Sequence, residues 1–250
     1  MYIREFVRLH NLNPIGVLHV GAHEAEEVDE YIANGFAKSA PIIWVEAQAG
    51  LADILINRLD STENKVYCAV AWNVDGETKT FNITSKSASS SLFDLDEHKE
   101  QYPEIDIVQK IEVTTSRLDS TLSTSDTFDF VVLDIQGAES QAIEGLGKRI
   151  DSVNWIFTEV SKRELYAGAT LYKELDSQLS KLGFRRVFTA WDRRAGWGDA
   201  LYARSSTYKV SLRQFMLIQL SRILRFGRSY IPNAAFPALV KIKRLMMGSL

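Results

Sequence analysis

One stretch near the start of the chain, residues 16–25, restricts the fold more than any other. It continues an apolar run that begins at Ile15 and then turns on two small residues, Gly21 and Ala22. An acidic segment that permits a helix, Glu24-Ala25-Glu26-Glu27, follows. This order predicts a buried strand, a tight turn and the start of a helix. In open α/β sheets ligands bind at the carboxyl ends of strands, where helix N-terminal N–H groups point outward, so the stretch also predicts where a ligand binds.

Strands and helices alternate through the first 204 residues. Strands are predicted at 15–20, 41–46, 65–72, 111–115, 128–135 and 153–159, and helices at 1–12, 24–34, 51–59, 137–146 and 171–182. A hairpin turn at 74–77 is predicted to lead from strand 65–72 into a strand at 78–83. A final pair of strands, 184–189 and 199–204, is predicted to be antiparallel. We therefore expect an α/β domain with a mostly parallel sheet, helices on both faces and an antiparallel edge strand.

Helical spacing also predicts which side chains of the early helices face the core. In the helix at 24–34, Val28, Tyr31 and Ile32 are expected to point inward. The apolar side of the helix at 51–59 is marked by residues at helical spacing: Leu51, Leu55, Ile56 and Leu59.

The composition is that of an ordinary globular protein, with 46% hydrophobic and 24% charged residues. A single cysteine, Cys68, excludes an internal disulfide and fits a reducing compartment. Residues 1–10 lack the apolar core of a signal peptide, and no apolar run approaches the roughly 20 residues that span a bilayer. We therefore expect a cytoplasmic protein.

Charge is distributed unevenly along the chain. Residues 205–250 contain eight Lys or Arg and no Asp or Glu, whereas the remaining residues hold 21 basic and 32 acidic side chains. The body therefore carries a net charge of −11 and the tail +8. This asymmetry predicts a domain at 1–204 and a separate basic tail at 205–250.

Three predicted parallel strands end in an acid: Glu46, Asp134 and Glu159. Carboxylates at the ends of parallel strands converge on one crevice beside the glycine turn. Glu46 follows Gly21 at close to the distance at which an acid reaches the ribose hydroxyls of a bound nucleoside. The alternative for Glu46 is a solvated carboxylate at a strand end.

The glycine turn lacks the dinucleotide spacing G-x-G-x-x-G, because His23 stands where a pyrophosphate needs close backbone approach. The acids at 24, 26 and 27 would also repel phosphate. They suit a positively charged ligand without phosphates, and S-adenosylmethionine, which combines a sulfonium, an ammonium group and adenosine, has these properties.

Several motifs in order resemble a known family, the FkbM family of S-adenosylmethionine-dependent methyltransferases, which has the class I Rossmann-like fold. The resemblance covers roughly residues 14–204, and its most specific piece is Leu-Asp-Ile-Gln-Gly-Ala-Glu at 133–139. That piece ends a longer match at 129–139, and the other matching motifs lie at 17–23, 44–48, 88–92, 117–119 and 157–160.

The resemblance implies O-methyl transfer to a hydroxyl, often on a sugar, a glycan or a polyketide product. It implies that Gly21, Ala22 and His23 line the methionine end of the cofactor and that Glu46 holds its ribose. His19 stands where the family usually has Asp, which would help to bind the cofactor's amino group, and neighbouring acids could replace it. The residues assigned to the cofactor site are His19, Gly21, Ala22, His23, Glu46, Ala47, Ala69 and Asp134.

Removal of the acceptor's proton requires a base, and Asp134, Glu159 and His98 are the candidates. Asp134 is expected to face the methyl group, either as the base or as a ligand of a divalent metal such as Mg²⁺, together with Glu159 or Glu139. No His or Cys cluster has the spacing of a zinc site. The alternative for His98 is an exposed loop residue.

The predicted substrate contacts come from a serine-rich loop and from aromatic residues near the end of the domain. They are Ser89, Ser90, Ser91, Glu139, Trp191 and Trp197, with Arg193 and Arg194 beside the tryptophans. Each has an alternative: a plain surface loop for the serines, a helix-start charge for Glu139, and edge-strand packing for the tryptophans.

The basic tail is predicted to form amphipathic helices. Apolar residues share one face of the first helix: Leu212, Phe215, Met216, Leu220, Ile223 and Leu224. Packing on the acidic body or dimerisation is favoured, and peripheral binding to a membrane surface is the alternative. A nucleic-acid partner is not expected, because the acidic body would repel phosphates.

Three functions follow in order of preference. The first is a methyltransferase that uses S-adenosylmethionine to modify a hydroxyl of a saccharide, a glycan or a related small molecule. The second is a non-catalytic nucleoside-binding module, and the third is a nicotinamide-dependent oxidoreductase, which the missing G-x-G-x-x-G disfavours.

Overall fold

The computed structural model describes residues 9–10, 12–60, 62–192, 195–226 and 236–247. The predicted helix at 1–12 and the pair Arg193 and Arg194 therefore lie largely or wholly outside the described residues. The strands are β1 (Val17–Val20), β2 (Ile42–Glu46), β3 (Asn64–Cys68), β4 (Val70–Trp72), β5 (Thr78–Thr84), β6 (Ile107–Arg117), β7 (Phe130–Leu133), β8 (Trp155–Ser161), β9 (Phe184–Trp191) and β10 (Trp197–Arg204).

The helices lie between these strands and after them. They are α1 (Val28–Ala33), α2 (Ala49–Arg58), α3 (Glu97–Gln101), α4 (Leu118–Thr121), α5 (Glu139–Gly145), α6 (Tyr172–Lys181), α7 (Leu212–Phe226) and α8 (Phe236–Met247). Short 3₁₀ turns occur at Ser87–Ser89 and Gly147–Ser152.

Seven strands form a central sheet in the order β3-β2-β1-β7-β8-β10-β9. The pairs from β3 to β8 are parallel, and β10 is antiparallel to both of its neighbours. The prediction of a mostly parallel sheet with an antiparallel strand is confirmed. The antiparallel strand β10 inserts between β8 and β9, so it lies one position inside the edge.

Successive side chains of the central strands enter two different cores, because side chains of a strand alternate between the faces of a sheet. Leu18 and Val20 of β1 pack in one core with α5 and α6. Val17 of the same strand packs in the other core with Tyr31 of α1 and Leu55 of α2. Burial on both faces explains why these strands are continuously apolar.

The prediction for residues 65–72 is wrong in one respect, because the stretch is two strands instead of one. β3 pairs with β2 in the central sheet, and after Ala69 the chain enters β4, which pairs with β6 in a second sheet of order β4-β6-β5. The predicted hairpin is also wrong. β5 pairs antiparallel with β6, not with β4, so the turn at 74–77 connects strands that are separated by β6.

Two of the predicted inward side chains are exposed. Ile32 is 36% exposed and Ile56 is 55% exposed, whereas their neighbours Tyr31 and Leu55 are fully buried. In each helix the prediction placed two adjacent apolar residues on the inward side, and only the first of them is buried. Adjacent residues of a helix point in different directions, so both cannot face the core equally well.

The tail helices also pack with a different face from the predicted one. α7 buries Leu217 and Ile218 against Leu9, and Met246 of α8 joins this cluster. Leu212, Phe215 and Met216, which belong to the predicted apolar face, are exposed. No helix in the described part of the chain is long and apolar enough to cross a membrane.

Candidate functional site

The turn after β1 fixes one side of a cleft at the carboxyl ends of the central strands. The backbone N–H groups of Gly21 and Ala22 both donate to the carbonyl oxygen of Val45, at 2.9 and 3.1 Å. Gly21 has a φ of 88° and lies so close to β7 that an added Cβ would come within 1.9 Å of the carbonyl oxygen of Asp134. Only glycine combines this φ with so close an approach. The turn is therefore built around Gly21.

Glu46, the last residue of β2, is held rigidly by two backbone donors. Its Oε2 accepts the N–H of His23 at 2.8 Å, and its Oε1 accepts the N–H of Gln48 at 2.8 Å. Burial raises the pKa of Glu46, and the bonds from Gln48 and His23 act in the opposite direction. Each carboxylate oxygen retains a second lone pair that can accept a hydroxyl.

Glu46 lines a cleft of about 560 Å³ that combines apolar walls with a few polar groups, as ligand sites do. The described lining contains no Lys or Arg. Six predicted cofactor residues lie on it: Gly21, His23, Glu46, Ala47, Ala69 and Asp134. Ala22 does not line it, because this residue is buried in the core beside β1.

His23 links the glycine turn to the serine-rich loop. Its Nε2 lies 2.8 Å from Ser87 Oγ, and its Nδ1 lies 2.9 Å from Glu26 Oε1. Its φ of 45° is uncommon for a residue with a side chain. Both His23 and Ser87 line the cleft, so this contact joins two of its walls.

Asp134, directly after β7, lies at the other end of the cleft and heads a chain of hydrogen bonds. Its Oδ1 accepts from Gln136 Nε2 at 2.6 Å, and Gln136 Oε1 accepts from the Tyr166 hydroxyl at 2.5 Å. Gln136 also has a positive φ, 53°. Asp134 is an exposed residue, and partial loss of hydration in the cleft raises the pKa of its carboxyl group.

Asp134 also lines a second cavity of about 440 Å³, together with His19, Glu27, Glu159 and Asp199. Glu159 in turn lines a third cavity of about 300 Å³ with Glu139 and Tyr166. Two carboxylates therefore connect three neighbouring cavities along the ends of β1, β7 and β8.

The two glutamates of this region have unusually basic carboxylates. Burial raises the pKa of Glu159 well above its ordinary value, and the charges of Asp134 and Glu139 add to the effect. Burial also raises the pKa of Glu139 to about 7. Glu139 Oε1 accepts the N–H of Gly137 at 3.1 Å and that of Ile135 at 3.3 Å, so it satisfies donors at the start of α5.

His19 is a core residue as well as a wall of the second cavity. Its Nδ1 lies 3.0 Å from the Tyr31 hydroxyl, and its ring stacks on Trp44 at 5.0 Å between centroids. Burial lowers its pKa to about 4, so the ring is neutral at neutral pH.

Ser89, Ser90 and Ser91 of the serine-rich loop are buried, so their interpretation as a plain surface loop is wrong. Residues 85, 86 and 88 of the same loop are exposed. Ser90 lines the cleft and its Oγ accepts the N–H of Thr84 at 3.1 Å. The Ser91 hydroxyl donates to the carbonyl oxygen of Gln136 at 2.7 Å. Ser89 is buried as well and interacts with Tyr166.

His98 is not an exposed loop residue, since it lies on α3 and is 5% exposed. Its ring contacts Tyr102 and Tyr166 at centroid distances of 5.0 and 5.1 Å, and burial lowers its pKa. It therefore lies behind Tyr166, and the described lining of the three cavities does not include it.

The two tryptophans occupy packing positions near the sheet edge. Trp191 contacts Tyr172 edge-on at 5.3 Å between centroids, and Lys162 Nζ lies 4.2 Å from its ring centre. Trp197 Nε1 donates to the Tyr102 hydroxyl at 3.3 Å. Among the described residues, neither tryptophan belongs to the lining of the three cavities.

Two motif residues that carried no predicted role have structural ones. Arg117 makes a two-pronged ion pair with Asp119 at 2.9 and 2.7 Å and donates to the carbonyl oxygen of Asn73. Asp129 accepts the N–H of Ile15 at 2.7 Å before β1 begins. Gln136, Tyr166 and Ser87 are the site residues that sequence reasoning missed.

Metal ligation is the one predicted property of Asp134 that the geometry does not favour. Within the residues that the structure describes, no group of three or more His, Cys, Asp or Glu side chains could hold a metal ion.

The sheet order, with one antiparallel strand next to the edge and a ligand cleft at the carboxyl ends of β1, β2 and β7, defines a Rossmann-like protein of the class I methyltransferase type. The model of the family described as Methyltransferase FkbM domain matches residues 19–186. The chain belongs to this family.

Individual relatives are more distant. The 2-O-methyltransferase NoeI of Sinorhizobium fredii (strain NBRC 101917 / NGR234) is 33% identical over 98 residues, which are 38% of this chain and 38% of that protein. Streptococcus pneumoniae Sp1610, a putative tRNA (m1A22) methyltransferase, has a similar structure with a TM-score of 0.48 and 13% identity, covering 100% of this chain and 98% of that one. Methyltransferase FkbM from Methylobacillus flagellatus KT has a TM-score of 0.45 and 12% identity, covering 75% and 43%.

Proposed function

We propose that this protein is an S-adenosylmethionine-dependent O-methyltransferase that modifies a hydroxyl of a saccharide or a related small molecule. The observation that carries the proposal is the pairing of Glu46 and Asp134 at the two ends of one cleft. The first carboxylate is fixed by backbone donors, and the second faces both the cleft and a neighbouring cavity.

The donor set of the cleft fits S-adenosylmethionine. Glu46 would accept both hydroxyls of its ribose, because a carboxylate binds two neighbouring donors at once. Apolar side chains such as Phe81 and Leu92 would contact the adenine. The described lining offers no Lys or Arg to a phosphate, which argues against a dinucleotide.

The methionine end of the cofactor would lie near the glycine turn and Asp134. His19 cannot supply the carboxylate that the family usually has at this position, but as a neutral ring it does not repel an ammonium group either. Glu27 lines the same cavity as His19, and we assign the contact with the amino group to Glu27.

When bound, the cofactor supplies an electrophilic methyl group, whose bond to sulfur breaks as its bond to the acceptor oxygen forms. The chain's own contribution is to position the acceptor, to exclude water and to receive the hydroxyl proton. Asp134 Oδ is the assigned proton acceptor, since its raised pKa makes it a stronger base than an ordinary aspartate. Gln136 donates to the same carboxylate and would hold it in place.

The acceptor is assigned to the cavities beyond Asp134. Their walls carry polar groups suited to a hydroxylated molecule, among them Glu159, Glu139 and the Tyr166 hydroxyl. Transfer to oxygen is supported by the partial similarity to a 2-O-methyltransferase.

Calorimetry with S-adenosylhomocysteine and with NAD tests the cofactor. We expect binding of S-adenosylhomocysteine and none of NAD, and the reverse result would overturn the proposal. Incubation with methyl-labelled cofactor and a panel of saccharides then tests the acceptor. Label in an ether-linked methyl group supports O-transfer, and label on nitrogen or carbon contradicts it.

A further inference from the structure

The two C-terminal helices carry large apolar side chains that are substantially exposed to solvent. On α7, Leu212, Phe215 and Met216 are 77%, 49% and 55% exposed. Their spacing places them on one side of the helix. Leu217 and Ile218, which are buried against Leu9, lie on the opposite side. The exposed side is therefore separate from the contact that holds α7 to the rest of the protein.

On α8 the exposed apolar residues alternate with cations. Ile242 and Leu245 are 46% and 66% exposed, and each directly follows an exposed basic residue, Lys241 or Arg244. The partly buried Met246 points toward the cluster around Leu9. Apolar and basic groups on one helix face are the combination that interfacial helices present to lipid.

Charge distinguishes among the surfaces that could cover these side chains. Residues 205–250 carry eight basic residues and no acidic one. In a two-fold contact between copies, this basic surface would face itself, and like charges would oppose association. The side of α7 that contacts residues 1–204 of the same molecule is the buried one, which packs on Leu9. A partner that is both apolar and negatively charged would match the exposed apolar side chains and the positive charge of the tail.

We propose that this tail surface, formed by Leu212, Phe215, Met216, Ile242 and Leu245 with the cations Lys241 and Arg244, docks on an anionic lipid bilayer. The apolar side chains enter the boundary between headgroups and acyl chains, while the cations pair with lipid phosphates. The helices lie in the plane of the interface, since α8, with its 12 residues, is far shorter than a bilayer-spanning helix. The proposal does not depend on methyl transfer.

Flotation of the full-length protein with vesicles tests the proposal. We expect binding to phosphatidylcholine vesicles that contain about one-third phosphatidylglycerol and little binding to pure phosphatidylcholine, with affinity falling as salt rises. Absence of flotation, or equal and salt-independent binding to both vesicles, overturns it.

Two double variants test the residues. Phe215→Glu with Leu245→Glu should abolish flotation, whereas Ile54→Glu with Ile56→Glu on α2, where both residues are similarly exposed, should leave it unchanged. Lys241→Glu with Arg244→Glu should lower the partition coefficient onto anionic vesicles more than about tenfold, because each cation near an anionic surface strengthens membrane binding about fivefold. The charge-matched control is Lys148→Glu with Lys173→Glu on the exposed body surface.

Thermal melts of all four variants establish that they are folded, and sedimentation velocity reports the oligomeric state. Equal loss of flotation in tail and control variants overturns the assignment of the tail surface. A dimer that dissociates in Phe215→Glu with Leu245→Glu, without vesicle binding by the unmodified protein, assigns the surface to a second copy and also overturns the proposal.

Discussion

The two ends of the cleft hold their carboxylates in different ways. Glu46, at the end of β2, is fixed by two backbone N–H groups that belong to the adjoining turns. Asp134, at the end of β7, is held by a side chain, Gln136, which is itself held by Tyr166. Backbone donors keep their positions whenever the fold is intact, whereas a chain of side chains can rearrange.

The different ways of holding Glu46 and Asp134 suit two different tasks, binding of the cofactor and reaction with the acceptor. A rigid acceptor of hydrogen bonds suits a ligand that is the same in every reaction cycle. An adjustable carboxylate with a raised pKa suits a site where a proton must be received and a variable acceptor must fit. On this basis substitutions at the β2 end should affect cofactor affinity, and those at the β7 end should affect turnover.

The largest effect is expected for Asp134→Asn. Loss of the assigned base should lower kcat about 10²–10⁴-fold, the usual range for general-base removal. In the unmodified protein, activity should rise with pH as Asp134 loses its proton, and this acid limb should disappear in the variant. Single-turnover kinetics with labelled cofactor measure both effects. Unchanged kcat in Asp134→Asn would show that Asp134 is not the base. A large loss of S-adenosylhomocysteine binding in this variant would contradict the division between cofactor binding at the β2 end and turnover at the β7 end.

Glu46→Ala should act on binding instead. Two hydroxyl bonds to a charged acceptor would be lost, and we expect about 100-fold weaker binding of S-adenosylhomocysteine by calorimetry, equivalent to about 3 kcal/mol. Glu24→Ala, an exposed residue of the neighbouring turn, is the control and should bind normally. Unchanged affinity in Glu46→Ala would exclude the ribose contact.

Glu139 should make stability depend on pH at the β7 end. Its folded-state pKa of about 7 lies above its ordinary value of 4.5 because burial disfavours the charged form. Its contribution to stability is therefore complete below about pH 4.5 and is lost as pH rises through about 7, by about 1–3 kcal/mol. Glu139→Gln keeps an acceptor for the Gly137 N–H and should flatten this dependence in denaturant titrations. Glu144→Gln, exposed on the same helix, should not, and an equal change in both variants would contradict the assignment.

The smallest effect is expected for Tyr166→Phe. The substitution removes the hydroxyl that positions Gln136 but keeps the ring against His98. We expect kcat to fall about threefold to tenfold, in line with about 1 kcal/mol for one hydrogen bond, with cofactor affinity unchanged. Tyr172→Phe, in the packing contact with Trp191, is the matched control. A change in cofactor affinity without a change in kcat would contradict the role of Tyr166 in positioning Gln136 for turnover.

The fold of the central sheet could be predicted from the sequence because its strands are short apolar runs that end at acids or glycines. The second sheet could not, since β4, β5 and β6 pair over long separations and nothing in residues 65–72 marks Ala69 as the point of division. The inward faces of α1 and α2 were predicted to within one residue, because a period of 3.6 leaves two adjacent apolar residues nearly equivalent. The buried face of α7 was not, since it depends on the contact with the distant Leu9.

The residues whose place at the cleft could best be predicted are those whose position follows from local order, such as Gly21 in a turn, and Glu46 and Asp134 at strand ends. His98, Tyr166 and Ser91 differ, since their surroundings come from distant segments. The contact between His98 and Tyr166 and the burial of Ser91 have no local pattern that could reveal them. The role of His19 as a core side chain likewise depends on Tyr31 and Trp44.

Ala69 has a consequence for how a ligand enters. It is the single residue between β3 of the central sheet and β4 of the small one, and its N–H donates to the carbonyl oxygen of Glu46 at 2.9 Å. So short a connection leaves no room for a wide hinge between the sheets. The contact between Ser87 Oγ and His23 Nε2 adds a second link at the cleft, between the segments that follow β5 and β1. We therefore expect Glu46 to keep its position when a ligand enters or leaves.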